Sequence, residues 1–449
     1  MSFKITAYIR PTLAVCFAAV IVQLANAEQQ ASSKRINIID DFSTVLLKVE
    51  NYQEQNQLWQ QRQQISELNV KQSKLWQNPT LSIEQDGFGS NQDQELSIGI
   101  SQPLDIFGQR KLDQKIAQTA RQQMQLLQPL WEAKSQLIVR FAWSNFALAD
   151  AEQQVYAAQL KISQSNLDSA HKRYQAGSIA LVDYERSQIE ALEAQRLYEQ
   201  ALLNQQASQR LLSNLWGESA ASIQLKNNVM SWPEQSNENV QRYIAAGWLE
   251  KLYALNILQS NQQIERLKIK SRPNLTLNAG ITRTKALNEQ DDTVLALGVD
   301  IPLSLFNRQQ YSIPITQRQQ ILLNQQQQRE LKQQILDIAN SMHQLQGLRT
   351  QFAAASNQIS LAEKVQSRTL QGFQAGKLAI TDVQQATDQL LTIRLGQLQT
   401  LRQAWKAALT AEALSIGTSY EQISSSDAYT QLNKTALEQT YNLIGGGAQ

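Results

Sequence analysis

Two acidic residues recur in matching surroundings. Asp183 closes the stretch YQAGSIALVD and Asp382 closes FQAGKLAITD, and the glycines of these stretches, Gly177 and Gly376, lie 199 residues apart. Glycine supplies the left-handed backbone on which a helix ends. A carboxylate near the start of the next helix accepts orphan N–H groups and complements the helix dipole. The chemistry this pattern offers is the capping of a helical reversal, not proton transfer. Cys16 is the only cysteine, and His171 and His343 are the only histidines. Neither histidine has a His, Cys or clustered-acid partner at a metal-ligand spacing. The sequence shows no phosphate-binding glycine loop, GxSxG or HExxH. No catalytic residue, cofactor or metal site is therefore assigned, and an enzyme is not expected.

The elements that must carry Asp183 and Asp382 follow one plan, written twice. NPTLSIEQDGFGSNQDQELSIGISQPLDIFGQR begins at Asn78, and RPNLTLNAGITRTKALNEQDDTVLALGVDIPLSLFNRQ begins at Arg272. Pro103 pairs with Pro302 and Phe107 with Phe306 at the same offset of 199, whereas Pro79 pairs with Pro273 at 194. Five extra residues thus belong to a loop tip, 87–93 against 283–292, where insertions are absorbed. Between the prolines apolar and polar residues alternate, as in Leu81, Ile83 and in Leu295, Leu297, Val299. Four strands of about nine residues, in two hairpins, are expected. Pro103 and Pro302 mark the crossing from strand to helix.

Outside the prolines the period is helical. Leu391, Leu395, Leu398, Leu401, Trp405 and Leu409 form one apolar stripe. The glutamine run ILLNQQQQRELKQQ is read as a solvated helix face, because Leu and Ile interrupt it at helical spacing. From Gly108 to Ala176 the one interior proline is Pro129, so a helix on the order of 100 Å is expected there, kinked at that residue. The eight tryptophans lie outside the expected strands and are assigned to core or groove packing.

The chain opens with Lys4 and Arg10, an apolar run from Leu13 to Val22, and Ala25-Asn26-Ala27, the pattern of a cleaved signal peptide. Val15 is too large for a lipidation site at Cys16. The chain carries 41 basic and 39 acidic residues; losing Lys4 and Arg10 balances the charges, so nucleic acid is not an expected partner. No mature segment has the ~18 consecutive apolar residues of a membrane helix. The organisation reads as signal peptide 1–27, first structural repeat 28–216, equatorial linker 217–239, second repeat 240–416 and polar C-terminal tail 417–449. Each repeat reads helix, hairpin, long helix, tight reversal, long helix. The fold class is mainly α with a small β part, internally duplicated.

Alternating strands suit a transmembrane barrel wall or a soluble sheet. Four strands in lipid leave edge N–H and C=O groups unpaired, and the smallest outer-membrane barrels have eight strands. In the barrel reading several copies must share the wall. In the rival reading the chain is a soluble periplasmic coiled-coil adaptor, which would have one long hairpin flanked by small β domains rather than two hairpins and two strand pairs.

The duplicated proline-bounded segments, the paired Ala-Gly turns and the signal peptide resemble the TolC-like outer-membrane efflux family over nearly the whole mature chain. The phrase SQPLDIFGQRK resembles its CzcC-like heavy-metal and cation efflux branch. The resemblance implies a homotrimer with a long α-helical tunnel and a trimer-shared 12-stranded transmembrane β-barrel. It places the protein in the outer-membrane lipid of a Gram-negative bacterium, with a large periplasmic part. It implies a periplasmic adaptor (membrane fusion protein) and an inner-membrane pump of the resistance-nodulation-division type as partners. The cargo it implies is heavy-metal cations, with drugs or other small organic molecules as the alternative. By the same resemblance Ala176, Gly177, Ser178 and Ala375, Gly376, Lys377 are adaptor-docking tips, and Asp382 lines the narrow aperture as a carboxylate ring. The second acidic position of that gate carries Gln385 here.

Overall fold

The computed structural model describes residues 37–39, 42–53, 55–88, 93–218, 223–225, 232–285 and 290–445. The signal-peptide segment with Cys16, parts of both hairpin loops and of the linker, and Gly446 and Gly447 lie outside them. Strand β1 (Asn37–Ile39) leads into α1 (Phe42–Tyr52), α2 (Gln55–Gln72), β2 (Thr80–Asp86), β3 (Gln94–Leu104), α3 (Gln109–Gln175) and α4 (Leu181–Asn214). After β4 (Ile223–Leu225) the order repeats: α5 (Ser236–Ala246), α6 (Trp248–Lys270), β5 (Leu275–Lys285), β6 (Asp292–Asp300), α7 (Ser312–Gln374) and α8 (Ile380–Ser415). Two further helices, α9 (Tyr420–Ser424) and α10 (Ala428–Gly445), follow.

Helix α3 has 67 residues and runs through Pro129 without a break, and α7 has 63. At ~1.5 Å per residue each is close to 100 Å long. The start of α3 is fixed by Asp105, whose carboxylate accepts the N–H groups of Gln109 at 2.6 Å and Arg110 at 3.0 Å. The hinge from sheet to helix is therefore capped in the first repeat; Ser304 stands at the matching place in the second.

The four long strands form one antiparallel sheet in the order β2-β3-β5-β6. They run 7, 11, 11 and 9 residues, not a uniform nine. The register gathers side chains by chemistry. Leu81, Ile100, Ala279 and Leu297 form one cross-strand row, and Ile83, Ile98, Ile281 and Leu295 the next but one. The intervening row is Ser82, Gly99, Gly280 and Ala296, and beyond it lie Ser101 beside Asn278 and Ser97 beside Thr282. Successive residues point to opposite faces, so one face is a band of aliphatic side chains and the other is small and polar. Leu81, Ile83, Leu295 and Leu297 are each at least 65% exposed, so nothing among the described residues covers the band. Among the described residues β2 and β6 have a partner on one side only.

The hydrophobic core sits midway along the helices, not in the sheet. Trp59, Trp131, Trp143, Phe146, Trp216 and Tyr243 anchor it, joining α1, α2, α3, α5 and the end of α8. Trp76 differs: it is exposed at the strand end, with the Arg110 guanidinium 4.0 Å over its ring. The segment after Gly417, whose polar composition leaves room for a tail that joins a belt around the tunnel, packs onto the helices. Ile423, Tyr429 and Ala436 are buried in this core. Tyr429 Oη lies 2.9 Å from Ser135 Oγ, and Trp131 Nε1 donates to Asn433 Oδ1. Apolar residues at helical spacing, diluted by Gln, Asn and Thr, account for this packing. Beside this belt β1 and β4 pair in parallel, Asn37 with Ile223 and Ile39 with Leu225.

One ion pair crosses the core. Arg140 Nη1 on α3 meets Glu412 Oε2 on α8 at 2.5 Å, and Asn239 Nδ2 on α5 donates to the same oxygen at 3.3 Å. Burial pushes the Glu412 carboxyl above its usual range, and Arg140 pulls it back. Arg140→Ala leaves a buried carboxylate without its cation, at a cost of about 3–5 kcal/mol. A carboxyl whose folded-state pKa is raised favours the folded state most when protonated, and loses that advantage as pH rises through the raised value. The melting deficit of Arg140→Ala should therefore deepen from mildly acidic to alkaline pH. Thermal unfolding of the detergent-extracted protein across that range checks it, and a pH-independent deficit contradicts it.

Candidate functional site

The two helical reversals close with the same hydrogen bonds. At the first, Gly177 N–H donates to Tyr174 O at 2.9 Å and Ser178 N–H to Arg173 O at 2.8 Å. At the second, Gly376 N–H donates to Phe373 O at 2.9 Å and Lys377 N–H to Gly372 O at 2.8 Å. Gly177 and Gly376 have φ of 67° and 74°, the left-handed backbone this cap requires. Ala176, Gly177, Ser178, Ala375, Gly376 and Lys377 are all exposed, so both turns present their backbone to the surroundings.

The structure brings the two turns together through one side chain that sequence reasoning missed. Arg173 Nη1 donates to the carbonyl of Phe373 at 2.8 Å, and its guanidinium lies 4.6 Å over the Phe373 ring. Phe373 is fully buried with Ala170, Ile380 and Val383. Below Arg173, Tyr174 and Tyr184 stack with their planes 4° apart. A signal for this clamp was present in the repeat alignment: the residue matching Arg173 in the second copy is Gly372, so the first turn carries a cation that the second lacks.

The two repeated acids differ in their company. Asp382 Oδ2 accepts the Ala379 N–H at 2.9 Å, tying the carboxylate back to the start of α8. Asp183 instead lies 3.6 Å from Arg186, one turn along α4. The residue matching Arg186 in the second copy is Gln385. Asp382 and Gln385 stand three residues apart, neighbours on one helix face, and both are exposed. The sequence change that removes the second acid thus also removes the cation that compensates the first acid's counterpart. Among the described residues no helix is long and apolar enough to cross a membrane.

Comparison with known proteins agrees with this architecture. The family model described as Outer membrane efflux protein matches residues 60–218. The chain is 24% identical over 371 residues to the cobalt-zinc-cadmium resistance protein CzcC of Cupriavidus metallidurans, covering 78% of this chain and 83% of that one. The crystal structure of CusC superposes with a TM-score of 0.64 at 15% identity, over 86% of this chain and 94% of that one. The outer membrane protein VceC of Vibrio cholerae gives 0.64 and 15%, over 85% and 97%. The family-model match runs from α2 into the segment after α4, and the fold is shared with these solved structures over most of the chain, so this protein is similar to outer-membrane efflux proteins in that segment and in its fold.

Proposed function

We propose that the protein is the outer-membrane conduit of a tripartite exporter, working as a homotrimer and passing heavy-metal cations outward. The observation that carries this reading is the sheet. It has an aliphatic face with no cover, a small and polar face behind it, and an open edge on both sides. In lipid an unpaired backbone group costs several kcal/mol, so other copies must extend the sheet at both edges until it closes. Three copies of four strands give a 12-stranded wall, within the size range of outer-membrane barrels. The polar face then lines the lumen, and α3, α4, α7 and α8 continue the lumen below the membrane as a tunnel.

The tunnel ends at the paired reversals. Their exposed backbone suits docking by a periplasmic adaptor, itself seated on an inner-membrane pump of the resistance-nodulation-division type. Arg173 holds the second reversal against the first, so it favours the closed tips. Asp382, without a neighbouring cation of the kind that Arg186 supplies to Asp183, keeps an uncompensated charge. Repeated by three-fold symmetry it becomes a carboxylate ring attractive to cations. The likeness to CzcC supports metal ions as the cargo.

Three outcomes test the reading. The mature protein extracted in detergent should have the mass of a trimer; a detergent-free, water-soluble monomer overturns the conduit. Asp382→Ala should weaken block by divalent cations, or reduce cation selectivity, in planar-bilayer conductance. Unchanged block and selectivity leave Asp382 only its bond to Ala379. Arg173→Ala should raise the frequency of opening and speed hydrogen exchange across 372–378, whereas exchange equal to the wild type would show that Arg173 does not hold the tips.

A further inference from the structure

Above the reversals, α3, α4 and α8 enclose an open cleft of ≈ 370 Å³. Its lining includes Glu190 and Glu193 from α4 and Asp388 from α8, acids from both helical hairpins. Both carboxylate oxygens of Glu190 are buried, and the Gln384 amide, also in the lining, is the one group that eases their charge, without a close hydrogen bond. Two further oxygens are buried there. Gln159 and Ser163 on α3 line the same cleft at 4% and 1% exposure, and Gln159 Oε1 and Ser163 Oγ are unpartnered. They stand four residues apart and so lie on one face of α3, one turn from each other. The cations around the cleft are already engaged: Arg186 with Asp183 at 3.6 Å, and Arg196 with Glu193 at 2.5 Å.

Buried polar atoms without partners are rare, and Gln159 Oε1 and Ser163 Oγ, lining one cleft with the buried Glu190 carboxylate, are costly to bury unless something positive joins them. Burial pushes the Glu190 carboxyl up, the nearby Asp388 charge pushes it further, and the Gln384 amide offsets this only in part. Burial raises Asp388 as well. The walls supply oxygen donors, aliphatic carbon and, on the Asp183 side, the Arg186 side chain, with no Cys, His or Met among them. Thiolate and imidazole suit zinc and the softer transition metals, whereas carboxylate, amide and hydroxyl oxygen suit hard cations.

We propose that this cleft binds a hard divalent cation, Ca²⁺ or Mg²⁺. The Glu190 and Asp388 carboxylates supply the charge, Gln159 Oε1 and Ser163 Oγ act as neutral donors, and water completes the shell. Two carboxylates with neutral oxygens resemble the weaker class of calcium site, with Kd of order 10⁻⁴ M or above. The ion bridges the first helical hairpin to the second. Asp388 lies six residues beyond Asp382 along α8, about 9 Å at ~1.5 Å per residue, so this site is separate from the aperture position. It does not depend on what passes through the lumen.

The test is calcium titration calorimetry on the detergent-purified mature protein, freed of metal with chelator. The expected result is saturable binding of one Ca²⁺ per chain, weakened at least tenfold in Glu190→Gln/Asp388→Asn. Calcium should raise the melting temperature of the wild type but not of the double variant. The double variant removes the buried Glu190 charge and an exposed one at Asp388, and so should melt no lower than the wild type in chelator. Gln159→Leu, which leaves both acids in place, gives a second reading and should weaken binding several-fold. Absence of saturable binding at millimolar Ca²⁺, or equal isotherms for the wild type and the double variant, overturns the proposal. Either outcome leaves trimer mass and conductance free to decide the conduit reading separately.

Discussion

The open edges of the sheet constrain everything else in this molecule. Among the described residues β2 and β6 each carry a row of backbone donors and acceptors with no partner, beside an aliphatic band that none of those residues covers. In water such an edge invites pairing with another strand, and in lipid it demands it. Once sister copies continue the sheet, the direction of the helices is no longer free. Four residues separate β3 from α3, and Asp105 caps the helix across that gap. A wall that closes around an axis therefore carries its long helices around the same axis.

The duplication supplies architecture, and the differences between its copies supply function. Gly177 and Gly376 build the same turn because a left-handed residue is needed in both. Arg173 faces a carbonyl of the other copy, and its counterpart is Gly372. Arg186 stands beside Asp183, and its counterpart is Gln385. Each substitution takes a cation from the second turn. The first turn thus becomes the holder and the second the held.

Periodicity made the long elements legible. Alternation bounded by proline marked the four strands, and a stretch almost free of glycine and proline marked α3 within a residue at each end. What local pattern could not reveal was contact between distant segments. Arg140 and Glu412 are 272 residues apart, and neither position announces a buried pair. β1 and β4, three residues each, are too short for alternation to register. Helix α10 is hard to read because Gln, Asn and Thr interrupt its apolar residues, although Tyr429 and Ala436 keep a helical spacing into the core. At the candidate site the turns and both acids stood out by recurrence, whereas the Arg173 clamp is a tertiary event.

The buried material is divided unevenly along the tunnel, and that division says where the chain can yield. The midsection packs Trp59, Trp131, Trp143 and Phe146 against α10, and separating such side chains exposes apolar area at ~25 cal/mol per Å². Toward the tips the contact between α3 and α8 is of another kind. Asn166 and Thr387 are buried there as polar groups, their side chains 3.4 Å apart, and Ser163 and Gln159 follow above them. Water can replace such contacts, because a neutral hydrogen bond contributes only about 0.5–1.5 kcal/mol net. Nearer the turns Ala170 packs against Phe373, Ile380 and Val383, so the tips close over a small apolar cluster below that polar seam. Parting the tips must expose this cluster and break the Arg173 bond to Phe373, while Arg402 with Glu152 adds a charged contact between the hairpins further up.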